Sequence, residues 1–478
     1  TPSSTDTYYF GFKAYSLQNQ FYLYVDDIRI DISPWIWTGI NNTDWSVASN
    51  WNLGSVPNSS SNVVIANTLN RPVLNSGTYL IKNLTVDSIA TLTINGKLQL
   101  TGNLNNEAVI TGTGTLEFNG TSAQTITNTR ATDAIVIGTF TSNNNTSVTL
   151  SSNGRVNISD VININAGLLY TNGKLVLKSS SQKTARIAPL ITGSIAGSIT
   201  VERFIPSKAV RKWSFISSPV AQTLSNSWQQ QIHITGNGIG GTICPSFSKH
   251  SNGFDATFSN TPSAYTYDAS KIQGQRWLPV PTTNSFTIAA GKGFRVNIRG
   301  PRSLGCSLLD GTNMTPSEVT LSSSGTISNE SKNLGTFSIT YPNVGVDNYV
   351  FVGNPYPSAI SFSALQASNW ASINTNYAVY IPTNAAGVYS YWSDDNGEFT
   401  GGSGYDNNYG NIIANGQAVF LQSTVAGAVT LNFNENQKIS ENNTGYFRPN
   451  KVINEKLKIS YSNMQEKIDE LVIRYSND

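Results

Sequence analysis

Charge is scarce in this chain: Lys, Arg, Asp and Glu make up 12% of its 478 residues, and 30 basic against 28 acidic side chains leave a net charge of +2. That balance supplies no field to gather nucleic acid or an anionic membrane, so neither is expected as a partner. Histidine occurs only as His233 and His250, which leaves little material for a zinc site or a catalytic triad. No apolar run reaches the roughly 18 residues that a membrane-spanning helix needs. The chain opens Thr-Pro-Ser-Ser, without an initiator Met or a leader-like stretch, and reads as a mature or excised segment. Cysteine is limited to Cys244 and Cys306. They are a candidate disulfide or two thiols; spacing does not decide, because bridging requires Cα atoms within ~7 Å.

What the chain has instead is Asn, Ser and Thr, with 39 Gly, 21 Tyr and 9 Trp. Short polar side chains compete with the helix backbone for hydrogen bonds, whereas Thr, Val, Ile and aromatic residues suit strands. The expectation is an all-β protein: a short-rung β-solenoid-like region, then a pseudo-duplicated antiparallel β-sandwich, with fragments of further β modules at both ends.

Residues 1–34 read as the final strands of a truncated jelly-roll-like module, carrying Asp26 and Asp27 as strand-end carboxylates. Residues 35–200 hold short alternating triplets such as Leu84-Thr85-Val86, Leu92-Thr93-Ile94, Leu98-Gln99-Leu100 and Leu175-Val176-Leu177, separated by Gly or Asn. Stacked solenoid rungs are favoured over a sandwich of very short strands. Asn95-Gly96-Lys97-Leu98-Gln99-Leu100 recurs as Asn172-Gly173-Lys174-Leu175-Val176-Leu177, an echo at an offset of 77.

Residues 201–440 contain a second echo. Trp213-Ser214-Phe215-Ile216 up to Pro219 is answered by Tyr349-Val350-Phe351-Val352 up to Pro355, and Tyr265-Thr266-Tyr267 by Tyr377-Ala378-Val379-Tyr380. Trp277 is matched with Trp392, and Gly291-Lys292-Gly293-Phe294 with Gly416-Gln417-Ala418-Val419. Gly291-Lys292-Gly293 lacks the spacing of a phosphate-binding loop and reads as a tight turn. Residues 441–478 read as a linker and the first hairpin of a further module.

Together the Trp37-Thr38-Gly39 to Asn50-Trp51 entry, Val56-Pro57, the Leu-Thr-Ile rungs, Ser217-Ser218-Pro219, Gly291-Lys292-Gly293 and Val352-Gly353-Asn354-Pro355-Tyr356-Pro357 resemble the large cell-surface and gliding-adhesin-type proteins of Bacteroidota. The resemblance implies export through the periplasm by the type IX secretion system, with its translocon and shuttle components as transient partners. It also implies residence at the outer cell surface and a role in attachment or gliding. Members of that group are glycosylated at Asp-Ser/Thr before a small or aliphatic residue, which makes Ser88 in Asp87-Ser88-Ile89 a candidate O-glycosylation site.

The function expected is therefore an adhesin or stalk; a glycan-binding or lyase-like accessory module is the alternative. No catalytic residue is nominated, and His233 reads as a packed ring rather than a base. No cofactor is expected, with calcium the one ion weighed, at Asp394, Asp395, Glu398 and Asp406 in a Gly-rich loop. Tyr391, Trp392, Tyr405 and Tyr409 are candidates for stacking on a surface polysaccharide.

Overall fold

The computed structural model describes residues 33–130, 135–151, 154–208, 213–238, 250–257, 259–310, 315–327, 336–381, 388–400 and 410–440, together with the strands Lys456–Ser462 and Lys467–Arg474. The chain forms two compact units, Thr1–Pro34 and Trp35–Asp478. The strands expected in the first unit, with Asp26 and Asp27, lie outside the described residues. The protein is nearly all β, 46% strand and 7% helix, and contains a β-solenoid of about six turns.

The solenoid follows from the triplets. In strands such as Asn83–Val86, Thr91–Ile94 and Lys97–Leu100, alternate residues are buried, because side chains on a strand point to opposite faces. Leu84, Leu92, Ile94, Leu98 and Leu100 therefore share one continuous core with their counterparts in the next rungs. Parallel pairing stacks like on like: Leu98 sits opposite Leu116, and Leu116 opposite Phe140. Polar residues stack too, with Asn83 Nδ2 donating to Asn62 Oδ1 at 2.8 Å and Asn106 Nδ2 to Asn128 Oδ1 at 3.1 Å, one rung to the next.

The echo at an offset of 77 does not mark equivalent positions. Lys97–Leu100 is stacked beneath Thr115–Phe118 and then residues 139–142, whereas Leu175–Leu177 continues the neighbouring column through residues 156–158 and 135–137. Asn-Gly-Lys before a Leu-rich triplet specifies a turn into a strand, and both columns use that turn.

Both ends of the stack are covered. At the start Trp37, Trp45 and Trp51 pack together, with Trp45 and Trp51 edge to face at 4.7 Å. Trp37 Nε1 donates to Asn70 O at 2.7 Å and Trp51 Nε1 to Trp45 O at 2.9 Å, which satisfies the indole N–H groups of Trp37 and Trp51. At the far end Ile199–Ile205 pairs in parallel with Leu175–Leu177 and antiparallel, over its whole length, with Val319–Gly325. An antiparallel strand on the last rung occupies the edge that another chain would otherwise find.

That last rung is also the first strand of the duplicated region. In the first half, Ile199–Ile205 and Val319–Gly325 form one layer. The other is a four-stranded sheet in the order Trp213–Ile216, Phe294–Asn297, Ala264–Tyr267, Trp277–Pro279. In the second half Phe337–Val344 pairs with Gly427–Phe433, and the facing sheet runs Tyr349–Gly353, Ala418–Ser423, Ile373–Ile381, Val388–Ser393, Glu398–Thr400. The order is the same, with one strand added. Each half is thus its own two-layer sandwich, and the two halves meet through their larger sheets.

The contact is reciprocal. Ser217 N donates to Gly416 O at 2.8 Å, while Gly353 N donates to Gly291 O at 2.9 Å. Ile216 bridges Gln417 as Val352 bridges Lys292. Gly291 and Gly416 occupy φ of +76° and +74°, where side-chain-bearing residues are penalised. This is the work of the Gly-Lys-Gly motif.

The register also corrects one match. Tyr267 pairs with Trp277, and its counterpart Tyr380 pairs with Tyr389; Trp392 pairs with Tyr377. Trp277 therefore corresponds to Tyr389 rather than to Trp392. The Asn354-Pro355-Tyr356-Pro357 stretch is a buried knot: Asn354 Nδ2 donates to the carbonyls of Ser358, Ile413 and Ala414, and Asn354 Oδ1 accepts from Tyr356 N. Lys456–Ser462 and Lys467–Arg474 pair as the expected hairpin.

Candidate functional site

Between the two larger sheets lies an aromatic layer centred on Phe215 and its counterpart Phe351, whose rings meet edge to face at 4.8 Å. At one margin this layer opens into a cleft of about 270 Å³. The first half contributes Tyr267, Trp277 and Arg276, and the second contributes Tyr349, Tyr389 and Tyr391, with Ala378 and Phe420 beside them. Aromatic rings are there because alternate residues of both sheets face the layer. Trp277 stands edge to face with Tyr267 at 5.2 Å and with Phe420 at 5.9 Å.

Arg276 is the charged residue among the described residues lining the cleft. Its Nε donates to Lys271 O at 3.0 Å, one terminal nitrogen to Tyr267 Oη at 3.3 Å and the other to Asn348 Oδ1 at 3.1 Å. All three acceptors are neutral, and no carboxylate among the described residues pairs with it. Asp268 and Asp347 sit outside the lining, and Asp268 accepts from the Ser270 amide and hydroxyl at 3.0 and 2.6 Å. Burial pushes the phenols of Tyr349 and Tyr389 up from their ordinary value, so both remain neutral donors near pH 7. On the far side of Trp277, Arg295 stacks over Trp213 at 4.2 Å and Trp277 at 5.1 Å.

The nominated stacking residues divide. Tyr391 lines the cleft and is 42% exposed. Trp392, its neighbour, points the other way: it is 5% exposed, packs on Phe399, and lies so close to Gly410 that a Cβ there would overlap its ring. Trp392 is a core residue, so its face is closed to a ligand. Tyr405 and Tyr409 lie outside the described residues.

Of the calcium candidates, Asp394 accepts from Ser363 Oγ at 2.6 Å and Asp395 from Thr375 Oγ1 at 2.8 Å, on the turn leading to Glu398. Asp406 lies outside the described residues. Among the described residues no three His, Cys, Asp or Glu side chains converge as a metal-binding group. Ser88 is exposed on a tight turn closed by Ala90 N to Asp87 O at 3.0 Å, beside Ile89 at φ +62°. Cys306 is disulfide-bonded; Cys244 lies outside the described residues.

His233 belongs to a buried constellation that the sequence does not announce. Its Nδ1 is 3.4 Å from Asp255 Oδ2, and Arg302 clasps the same carboxylate through two bonds of 2.7 and 2.6 Å. Burial alone would raise the Asp255 carboxyl, but the hydrogen bonds and charges of His233 and Arg302 hold it down at about 2. His233 and Asp255 are 1% and 2% exposed. The group ties chain segments together and presents nothing to a substrate. His250, also buried, places Nε2 2.9 Å from Asn260 Oδ1.

A capped solenoid fused to a duplicated sandwich with an aromatic cleft defines the class. The model of the family described as "Domain of unknown function (DUF8693)" matches residues 36–129 and 246–478, well over half of the sequence, and the chain belongs to that family. No curated protein and no solved structure matches it.

Proposed function

We propose that this protein is a secreted, surface-displayed adhesin or stalk, a substrate of the type IX secretion system that serves attachment or gliding. The observation that carries the reading is mechanical. A solenoid covered at both ends passes its last strand directly into the smaller layer of the first sandwich half, so the stack of rungs runs without a linker into the unit whose larger sheets carry the cleft. The Bacteroidota-type sequence features described above supply the export route and the outer-surface address.

Surface polysaccharide is the partner that fits the cleft, through aromatic stacking and a single guanidinium. Binding suits the cleft better than turnover, because its described lining offers no carboxylate to act as acid or base. The test is genetic. Disabling the type IX translocon in the native host should trap the protein in the periplasm, and deleting its gene should weaken attachment or gliding while other exported proteins reach the surface. Normal surface display without the translocon, or unchanged attachment and motility without the gene, refutes the proposal.

A further inference from the structure

We infer that the aromatic cleft binds a carboxylated sugar residue of an acidic polysaccharide, the pyranose face stacking on the exposed ring of Tyr391, with Trp277 in the cleft wall, and the carboxylate reaching Arg276. The proposal deepens the adhesin reading and rests on it for context. It names the ligand class of the same site.

Three observations carry it. Aromatic rings from both halves converge on one opening, as a flat ring with an apolar C–H face requires. Arg276 is fixed in place at the wall by Lys271 O, Tyr267 Oη and Asn348 Oδ1, yet part of its donor fork has no partner among the described residues. A guanidinium held by neutral acceptors keeps its full charge for an incoming anion, and its planar fork matches a carboxylate. Finally, no carboxylate shares the described lining. A neutral sugar would leave that charge unanswered, and a purely apolar ligand would desolvate it. The tyrosine hydroxyls and Gln273 at the margin supply further polar contacts for ring hydroxyls.

The experiment titrates the purified full chain with oligouronates, size-matched neutral oligosaccharides and sulfated oligosaccharides, following tryptophan fluorescence and calorimetry. Trp277 in the wall gives the optical signal. Oligouronates are expected to bind best, with affinity falling as salt rises. Arg276→Gln should weaken oligouronate binding about tenfold or more, and Tyr391→Ala, at an exposed position, by roughly fivefold. Tyr170→Ala, on the solenoid, should leave binding unchanged. Equal binding of neutral oligosaccharides with no effect of Arg276→Gln overturns the proposal. So does preference for sulfate over carboxylate, or no binding by a chain whose circular dichroism and melting are normal. Such a failure would leave surface display and export untouched, whereas a cytoplasmic location would sink the adhesin reading with sugar binding intact.

Discussion

Glu435 and Lys438 offer a direct measure of how firmly the solenoid is fastened to the second half of the duplicated region. Their side chains are 0% and 1% exposed, 2.6 Å apart, and Glu435 Oε2 also accepts from Leu190 N of the solenoid at 2.8 Å. Lys438 Nζ lies 4.8 Å from the centre of the Tyr356 ring. Burial draws the Lys438 ammonium below its usual range, and the charge and hydrogen bond of Glu435 oppose that. Glu435→Ala would strand a buried cation and remove the acceptor of the Leu190 amide. Breaking such a pair costs about 3–5 kcal/mol. For a cooperative unit of ~200 residues that is a fall in melting temperature of roughly 6–20 °C. The double variant Glu435→Ala/Lys438→Met should cost less than Glu435→Ala alone, since no buried charge is left without its partner. Hydrogen exchange supplies the local readout, with Leu190 losing protection in both variants. If Glu435→Ala costs under about 1 kcal/mol, or the Leu190 amide stays as protected as in the parent, the pair does not join the two parts and the reasoning fails.

Other perturbations test the remaining parts. The Asp255 carboxyl is held at about 2 in the folded chain against an ordinary value of 3.8, so its stabilising contribution is present above about pH 4 and disappears as pH falls toward 2. Urea midpoints across that window should show about 2 kcal/mol of acid-dependent stability in the parent, and this dependence should be missing from Asp255→Asn. Leu116→Ala, in the solenoid core at 0% exposure, should cost about 2–5 kcal/mol in denaturant titrations, against under ~0.5 for Thr115→Ala on the outer face. Gly353→Ala would put a Cβ 2.4 Å from Ser217 Cβ and 2.5 Å from Lys292 O. Its melting point should fall by the equivalent of about 1–3 kcal/mol, because the backbone at the reciprocal contact cannot give way as a flexible side chain could.

The β-solenoid was legible because its evidence is local: Leu-Thr-Ile alternation and Asn-Gly turns dictate strand, face and bend within a few residues. Column membership was not, since Lys97–Leu100 and Leu175–Leu177 share a turn sequence but stack in different columns. The duplication was legible through Phe215 and Phe351 and through the paired glycine turns. Matching Trp277 with Trp392 failed because residue type was followed where register decides. Strand alternation contained a warning about the stacking candidates, since Tyr391 and Trp392 are adjacent and cannot face the same way. Arg276 and the Asp255–Arg302 clasp carried no local signal. They acquire meaning only when distant loops are folded together.

The cleft itself is a product of imperfect duplication. The pairings that align the halves place Arg295 opposite Tyr265 in the first and Phe420 opposite Ala378 in the second. In the first half the Arg295 guanidinium spreads over Trp213, Tyr265 and Trp277, within 4.2 to 5.8 Å of each ring centre, and fills that margin of the aromatic layer. In the second, Phe420 reaches Tyr349 and Tyr389 at 6.2 and 6.0 Å, but the third ring is replaced by the methyl group of Ala378. Two identical halves would have closed both margins or opened both. Exchanging a tyrosine for an alanine at one of two matched positions leaves one margin packed to hold the halves together, and the other hollow, aromatic and flanked by Arg276. Shared topology supplies the framework, and a difference in side-chain volume of this size is enough to open one side into a cleft.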